Sequence, residues 1–171
     1  MKAKSLALYF ILFTFFISSC YVSNIETFIK KEYPIKDKML IVSLADERNE
    51  SYIKDLSYKL NKKLTNQGYE VKEYVSERYD SLYFNNLLKN FNPKTVFLIT
   101  PQNKFVEYSD GFLQLTYDLV LYHRLDSIQD QLLYKGLIKI AYRYDKKLEI
   151  VETTVGKIMQ SVFPESKTKV K

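Results

Sequence analysis

The chain has 171 residues, 26 Lys and Arg against 20 Asp and Glu, a formal net charge of +6 and a single cysteine. One thiol excludes an internal disulfide framework, so packing alone must stabilise the fold. The positive balance is mild and spread out apart from the tail "SKTKVK". It permits contact with anionic lipid or glycan but reads first as a solvated surface, and with no recognition motif it argues against nucleic acid as a partner.

Met1 to Ser5 carries Lys2 and Lys4, and Leu6 to Ile17 is a nearly continuous apolar run of twelve residues, followed by Ser18, Ser19 and Cys20. A basic start, a greasy middle and small residues before a cut are the parts of a secretory signal. A membrane-spanning helix needs roughly 20 apolar residues, so this run is too short for one. "Ile17-Ser18-Ser19-Cys20" resembles the lipobox of bacterial lipoproteins. That resemblance implies a signal peptide over 1–19, cleavage before Cys20, and covalent lipid on the Cys20 sulfur and the new amino terminus. The thiol is then an attachment point rather than a nucleophile or metal ligand. Tyr21 stands where an aspartate would mark inner-membrane retention, which implies an outer-membrane anchor facing the periplasm. Surface display is compatible with the same signal.

Cleavage there leaves 152 residues, enough for one domain with its own core. Its net charge is +4 once Lys2 and Lys4 are removed. Residues 20–37 read as a lipidated cysteine and short tether, with a fully extended reach of about 60 Å at ~3.5 Å per residue. Within it Ile25, Phe28, Ile29 and Tyr33 recur at helical spacing, which predicts a short amphipathic helix. A single α/β domain follows over 38–164, then a basic tail over 165–171.

"KMLIVSLA" (38–45) is apolar without alternation, as expected of a strand buried on both faces. The next segment predicts a helix with Asn49 as N-cap, a stripe of Ile53, Leu56, Leu60 and Leu64, and Gly68 at its end. "EVKEYVS" (70–76) is charged and weakly alternating, an edge strand. A second helix runs from about Asp80 to Phe91, with Phe84, Leu87, Leu88 and Phe91 on one side and Pro93 as its stop. "KTVFLIT" (94–100) is another interior strand. "FLQLTYDLVLYHR" (112–124) and "LLYKGLIKIAYRY" (132–144) alternate strictly and predict two long, half-exposed antiparallel strands joined by "LDSIQDQ". A last helix spans about Lys147 to Val162, with Leu148, Val151, Val155, Ile158 and Val162 as its buried stripe.

The order is β-α-β-α-β-β-β-α, an α/β fold of two or three layers on a mixed five-stranded sheet. Right-handed crossovers and an outlying charged strand give the strand order 2-1-3-4-5. The two crossover helices then lie on opposite faces, which accounts for the apolar character of strands 1 and 3.

In such sheets ligands favour the crevice at the carboxyl ends of the strands where the order reverses. Here its lips are Ala45-Asp46-Glu47-Arg48 and Thr100-Pro101-Gln102-Asn103. Asp46, Glu47 and Gln102 are the candidate ligand residues, able to meet a cation or an amine. The plainer role of the two acids is to start a helix, whose dipole favours them. The loop lacks the glycines of a phosphate cradle. His123 is the only histidine, and no nucleophile or acid is marked to complete a triad with it. No His/Cys/Asp/Glu cluster has zinc spacing. These residues predict no catalytic function, no metal and no cofactor beyond the lipid on Cys20. Asp118 reads as structural. Among the tyrosines, Tyr134, Tyr142 and Tyr144 are candidates for an interaction face, although Tyr142 is in phase with the buried Ile138 and Ile140.

A lipobox, a helix ending in "LTNQGYEV", and "KTVFLITPQ" leading into two long alternating strands and a closing helix together resemble the small envelope domains of TolB (amino-terminal), LpoB and CsgG. The likeness is one of pattern, and Cys20 is the only site residue it carries across. It implies a non-enzymatic lipoprotein that docks an envelope protein or serves assembly of a complex. The alternative is a lipoprotein that binds a small ligand or a glycan, peptidoglycan included, in the strand-end crevice.

Overall fold

The computed structural model describes residues 20–31, 38–45, 49–78, 80–102, 106–107, 111–124 and 130–164. The signal segment 1–19, the tail 165–171, Tyr33, Asp46, Glu47, Arg48 and the loop 125–129 lie outside the described residues. The strands are β1 (Tyr21–Val22), β2 (Glu26–Lys30), β3 (Lys38–Leu44), β4 (Glu70–Ser76), β5 (Thr95–Pro101), β6 (Val106–Glu107), β7 (Phe112–Arg124) and β8 (Asp130–Arg143). The helices are α1 (Glu50–Asn66), α2 (Ser81–Phe91) and α3 (Lys147–Val162), the last entered through one 3-10 turn at Tyr144–Lys146.

The fold is α/β on a mixed sheet, and its central five strands run β4-β3-β5-β7-β8, the order expected from the sequence. β3 is parallel to β4 and β5, while β5-β7 and β7-β8 are antiparallel. Three strands were not foreseen. β6 pairs with β7, and β1 and β2 pair antiparallel with β8.

α1 and α3 cover one face of the sheet. Ile53, Leu56, Leu60 and Leu64 meet Val151, Val155 and Ile158 over Met39, Ile41, Phe97, Ile99, Leu115 and Ile140. α2 covers the other face only over β4-β3-β5, packing Phe84, Leu87 and Leu88 on Leu40, Val42, Tyr74 and Val96. The molecule therefore has three layers over one half of the sheet and two over the other. The alternation in β7 has this cause: Leu113, Leu115, Tyr117, Leu119 and Leu121 are buried under the helices, while Gln114, Thr116, Asp118 and Val120 sit half-exposed on the open side.

Local chemistry sets the helix ends. α1 stops in a Schellman motif: Tyr69 N–H donates to Leu64 C=O at 3.1 Å and Gly68 N–H to Thr65 C=O at 2.9 Å. The motif requires a left-handed residue, and Gly68 supplies it at φ 92°. Asp80 caps α2 by accepting from Tyr83 N–H at 3.0 Å. Asn49 sits before α1 as expected, but its side chain makes no cap hydrogen bond.

Two further expectations are corrected. The segment of Phe28 and Ile29 is strand, with Ile25 just before it, and not amphipathic helix. Without it, β8 would present a bare edge of unpaired backbone groups, and a helix could not pair with them. Leu148 is 59% exposed and lies outside the α3 stripe, which is formed by Ile150, Val151, Thr154, Val155, Ile158 and Val162. Leu148 lies in the first turn of α3, directly after the 3-10 turn.

Gly136 on β8 shows how tightly the added strands fit. A Cβ there would lie 2.7 Å from the Tyr134 hydroxyl and 3.0 Å from Ile25 Cγ2. That hydroxyl is held by Thr27 Oγ1 at 3.1 Å and Ser161 Oγ at 2.8 Å, so it has little room to move aside. Gly136→Ala should therefore cost about 1–3 kcal/mol by overpacking, read as a lower urea midpoint at unchanged slope.

Candidate functional site

Two places qualify as sites on sequence grounds, Cys20 and the strand-end crevice. Cys20 immediately precedes β1, so no free tether separates it from the fold. Its sulfur accepts from Arg143 N–H at 3.3 Å, and its side chain packs partly on the main core. The next residues are in register with β8, Tyr21 opposite Ala141 and Val22 opposite Ile140.

Side chains of α3 fasten the rest of this arm. Lys157 Nζ donates to Val22 C=O at 2.6 Å, Ser23 C=O at 3.0 Å and Asn24 Oδ1 at 3.2 Å. Lys30 Nζ donates to Ser161 C=O at 2.8 Å. Ser23 and Lys139 exchange two bonds: Ser23 N–H donates to Lys139 C=O at 2.8 Å, and Lys139 N–H to Ser23 Oγ at 2.9 Å. The arm thus adds polar contacts from α3 to its pairing with β8 and to the packing of Val22 and Ile25 on the core, at an edge of the sheet, where local opening starts more readily than in central strands. Lys157→Ala should raise amide exchange across 21–30 while leaving the slowest amides of β5 and β7 unchanged, as hydrogen-exchange mass spectrometry would show.

At the crevice, β3 and β5 are neighbours and their carboxyl ends lie side by side. Asp46 and Glu47 lie outside the described residues. Gln102 is described, and its groups are engaged with β7. Its Nε2 donates to Asp118 Oδ1 at 3.1 Å and its backbone N–H to Thr116 C=O at 2.9 Å. Asp118, on the open sheet face, thus has Gln102 as its partner. Gln102 reaches away from β3 rather than across to it.

Buried polar groups are the remaining candidates for chemistry. Tyr52 stacks on Tyr142 at 5.1 Å between ring centroids and on Tyr117 at 6.3 Å. Its hydroxyl donates to Thr154 Oγ1 at 2.8 Å, and Thr154 in turn donates to Ile150 C=O at 2.7 Å. Burial pushes the Tyr52 hydroxyl far above its ordinary value, against a smaller opposing pull from the Thr154 bond. Burial also raises Tyr142, with Tyr144 adding to the effect. Both phenols stay protonated at any physiological pH, which suits a core and not a general base. Ser43 and Ser57 pair at 2.6 Å between β3 and α1, a second buried polar contact with no access for a substrate.

His123 lies half-buried near the end of β7, in register with Thr95 and Gln131. Among the described residues no group of three His, Cys, Asp or Glu is placed to hold a metal, and no helix is long and apolar enough to cross a membrane. Of the three tyrosines put forward for an interaction face, Tyr134 and Tyr142 are buried and only Tyr144, at 53%, is exposed. Tyr134 is in phase with Ile138, Ile140 and Tyr142, so alternation itself turns it inward, and the register shift of β8 beside Leu121 and Tyr122 adds Leu133 to the same core.

No family model matches the chain, and no curated protein does. Solved structures do match. A dodecamer of a single-substitution variant of PelC from Paraburkholderia phytofirmans aligns at a TM-score of 0.52 and 13% identity, over 82% of this chain and 96% of that one. A second PelC dodecamer from the same organism aligns at 0.51 and 8%, over 81% and 95%. Lipoprotein GNA1162 from Neisseria meningitidis overlaps more loosely, at 0.45 and 15%, over 73% and 99%. At these identities the likeness to PelC is one of fold. It spans nearly the whole of the PelC chain, so the sheet and its helices form one architecture rather than a fragment of one.

Proposed function

We propose that this chain is an envelope lipoprotein, held in the membrane by lipid on Cys20, that acts as a non-enzymatic docking or assembly factor. The position of Cys20 carries this reading. It is the residue before which a lipobox is cut, and it stands directly at the start of a strand of the folded domain. An outer-membrane anchor facing the periplasm agrees with Tyr21 after the cysteine. The likeness in pattern to TolB, LpoB and CsgG domains supports a protein partner. So does the fold shared with PelC, which is a dodecamer in its solved structures. The half-open side of β7 and β8 offers a surface of Thr116, Asp118, Val120, Lys135 and Lys139 for such a partner.

The alternative of a small-ligand or glycan binder at the strand-end crevice has less support, because the Gln102 amide is spent on Asp118. A ligand present far above its Kd would raise stability by several kcal/mol, about 2.7 at a hundredfold excess. In-cell crosslinking with mass spectrometry, comparing wild type with Cys20→Ser, separates the two readings. One dominant envelope partner that is lost with the anchor supports the adaptor. Absence of any partner at native abundance, together with thermal stabilisation by a muropeptide or sugar panel, would replace it with the ligand binder.

A further inference from the structure

We infer that the end of the domain holding Cys20 rests on lipid headgroups, with Tyr21, Tyr144 and Leu148 as its interfacial side chains. This assumes the lipid on Cys20 proposed above and adds an orientation to it.

The physical reason is lack of slack. Acyl chains on the Cys20 sulfur and amino terminus enter the bilayer at the level of Cys20 itself. Its sulfur is in contact with Arg143 N–H, and its neighbour Tyr21 is already paired with β8. The lipid is thus fixed to a corner of the sheet rather than to a flexible leash, and whatever shares that corner must meet the headgroup layer.

What shares it follows from the topology. β8 ends at Arg143, the 3-10 turn Tyr144–Lys146 follows, and α3 begins at Lys147. Lys147 Nζ reaches Ser51 Oγ at 2.7 Å and Asp55 Oδ2 at 2.6 Å, which brings the start of α1 to the same end. Tyr21, Tyr144 and Leu148 are 41%, 53% and 59% exposed there. Tyrosine favours the membrane–water boundary because its ring is apolar and its hydroxyl stays wet.

Among the described residues, the cations Arg143, Lys146 and Lys147 of this end are matched internally, with Asp145, Glu149 and Asp55. The contact is therefore carried by the acyl chains and these side chains, with little dependence on anionic lipid. It also bears on the crevice. The carboxyl ends of β3 and β5 lie at this end of the sheet, since β5 Pro101 is opposite Tyr117 and β7 begins at Phe112 opposite Arg143. The crevice thus opens toward lipid, and a partner must approach from the open sheet face or from the far end, where α1 and α3 terminate.

The experiment uses lipidated full-length protein, extracted in detergent and reconstituted into phosphatidylethanolamine–phosphatidylglycerol vesicles carrying a headgroup nitroxide lipid. With Cys20 blocked by its lipid, each of Tyr144→Cys, Leu148→Cys and Asn66→Cys offers one thiol for a fluorophore. All three positions lie on the protein surface, with position 66 at the far end of α1. Quenching several-fold stronger at 144 and 148 than at 66, and insensitive to added salt, is the expected result. Equal quenching at the three positions, or stronger quenching at 66, overturns the orientation while leaving the anchor intact. Protein that fails to enter vesicles and takes label at Cys20 overturns the anchor and the orientation together.

Discussion

Cys20→Ser should move the protein from the membrane pellet to the supernatant after cell fractionation. The size of the effect follows from the anchor. Each buried methylene contributes about 0.8 kcal/mol, one acyl chain holds only marginally, and two or more hold stably. Serine at this position cannot form the thioether, so the acyl chains are lost. The fold should survive, because the Cys20 sulfur contributes one long hydrogen bond and partial packing at a sheet corner. Pelleting by ultracentrifugation with mass analysis of the amino-terminal peptide reads both consequences. A wild-type chain in the pellet whose amino-terminal peptide is uncut and carries no acyl mass would show that the apolar run over Leu6–Ile17 holds the protein by itself, and would refute the lipid anchor.

Tyr52→Ala should produce the largest loss of stability of any single truncation near the tyrosine stack. Tyr52 is almost wholly inaccessible and packs against two further buried rings. Removing a buried aromatic ring costs about 3–5 kcal/mol from lost transfer energy and the cavity left behind. Set against a total stability of about 5–15 kcal/mol, that brings the domain close to unfolding. Tyr52→Phe keeps the ring and removes only the bond to Thr154, so it should cost about 0.5–1.5 kcal/mol. Urea denaturation of the mature chain, begun at residue 20 so that β1 is retained, measures both variants. A small loss for Tyr52→Ala would mean that Tyr117 and Tyr142 close over the gap. A Tyr52→Phe loss as large as that of Tyr52→Ala would put the energy in the Tyr52-Thr154-Ile150 hydrogen-bond chain instead of the stack.

Several features needed only the sequence. The strict two-residue period of 112–124 set β7 and its buried side, because a strand with one wet face must alternate. The continuous apolar runs at 38–45 and 94–100 marked β3 and β5 as interior strands, and the charges of 70–76 marked β4 as an edge. Together with the handedness of crossovers they led to the order of the central sheet. Gly68 and Asp80 marked helix ends because the backbone conformations and orphan amides there call for those residues.

Other features were decided only by tertiary contacts. "ETFIK" holds the strand formers Thr27, Phe28 and Ile29 at spacings that also suit a helix, and it became β2 because β8 offered an unpaired edge and Ser161 of α3 bonds Thr27 and Lys30. Leu148 fits a helical stripe on paper, yet it lies exposed in the first turn of α3. Leu133 joins the core beside Tyr134 through a shift of register that periodicity could not foresee. Gln102 was put forward from its position at a strand end, and the neighbouring strand supplied Asp118 as its partner. Sequence alone determined the pattern and order of the five central strands, since these rest on local period and composition, and it singled out Cys20 by a likeness to a lipobox. The tertiary structure alone decided that this cysteine stands at a corner of the sheet with no tether, because that depends on pairing between residues more than 100 positions apart.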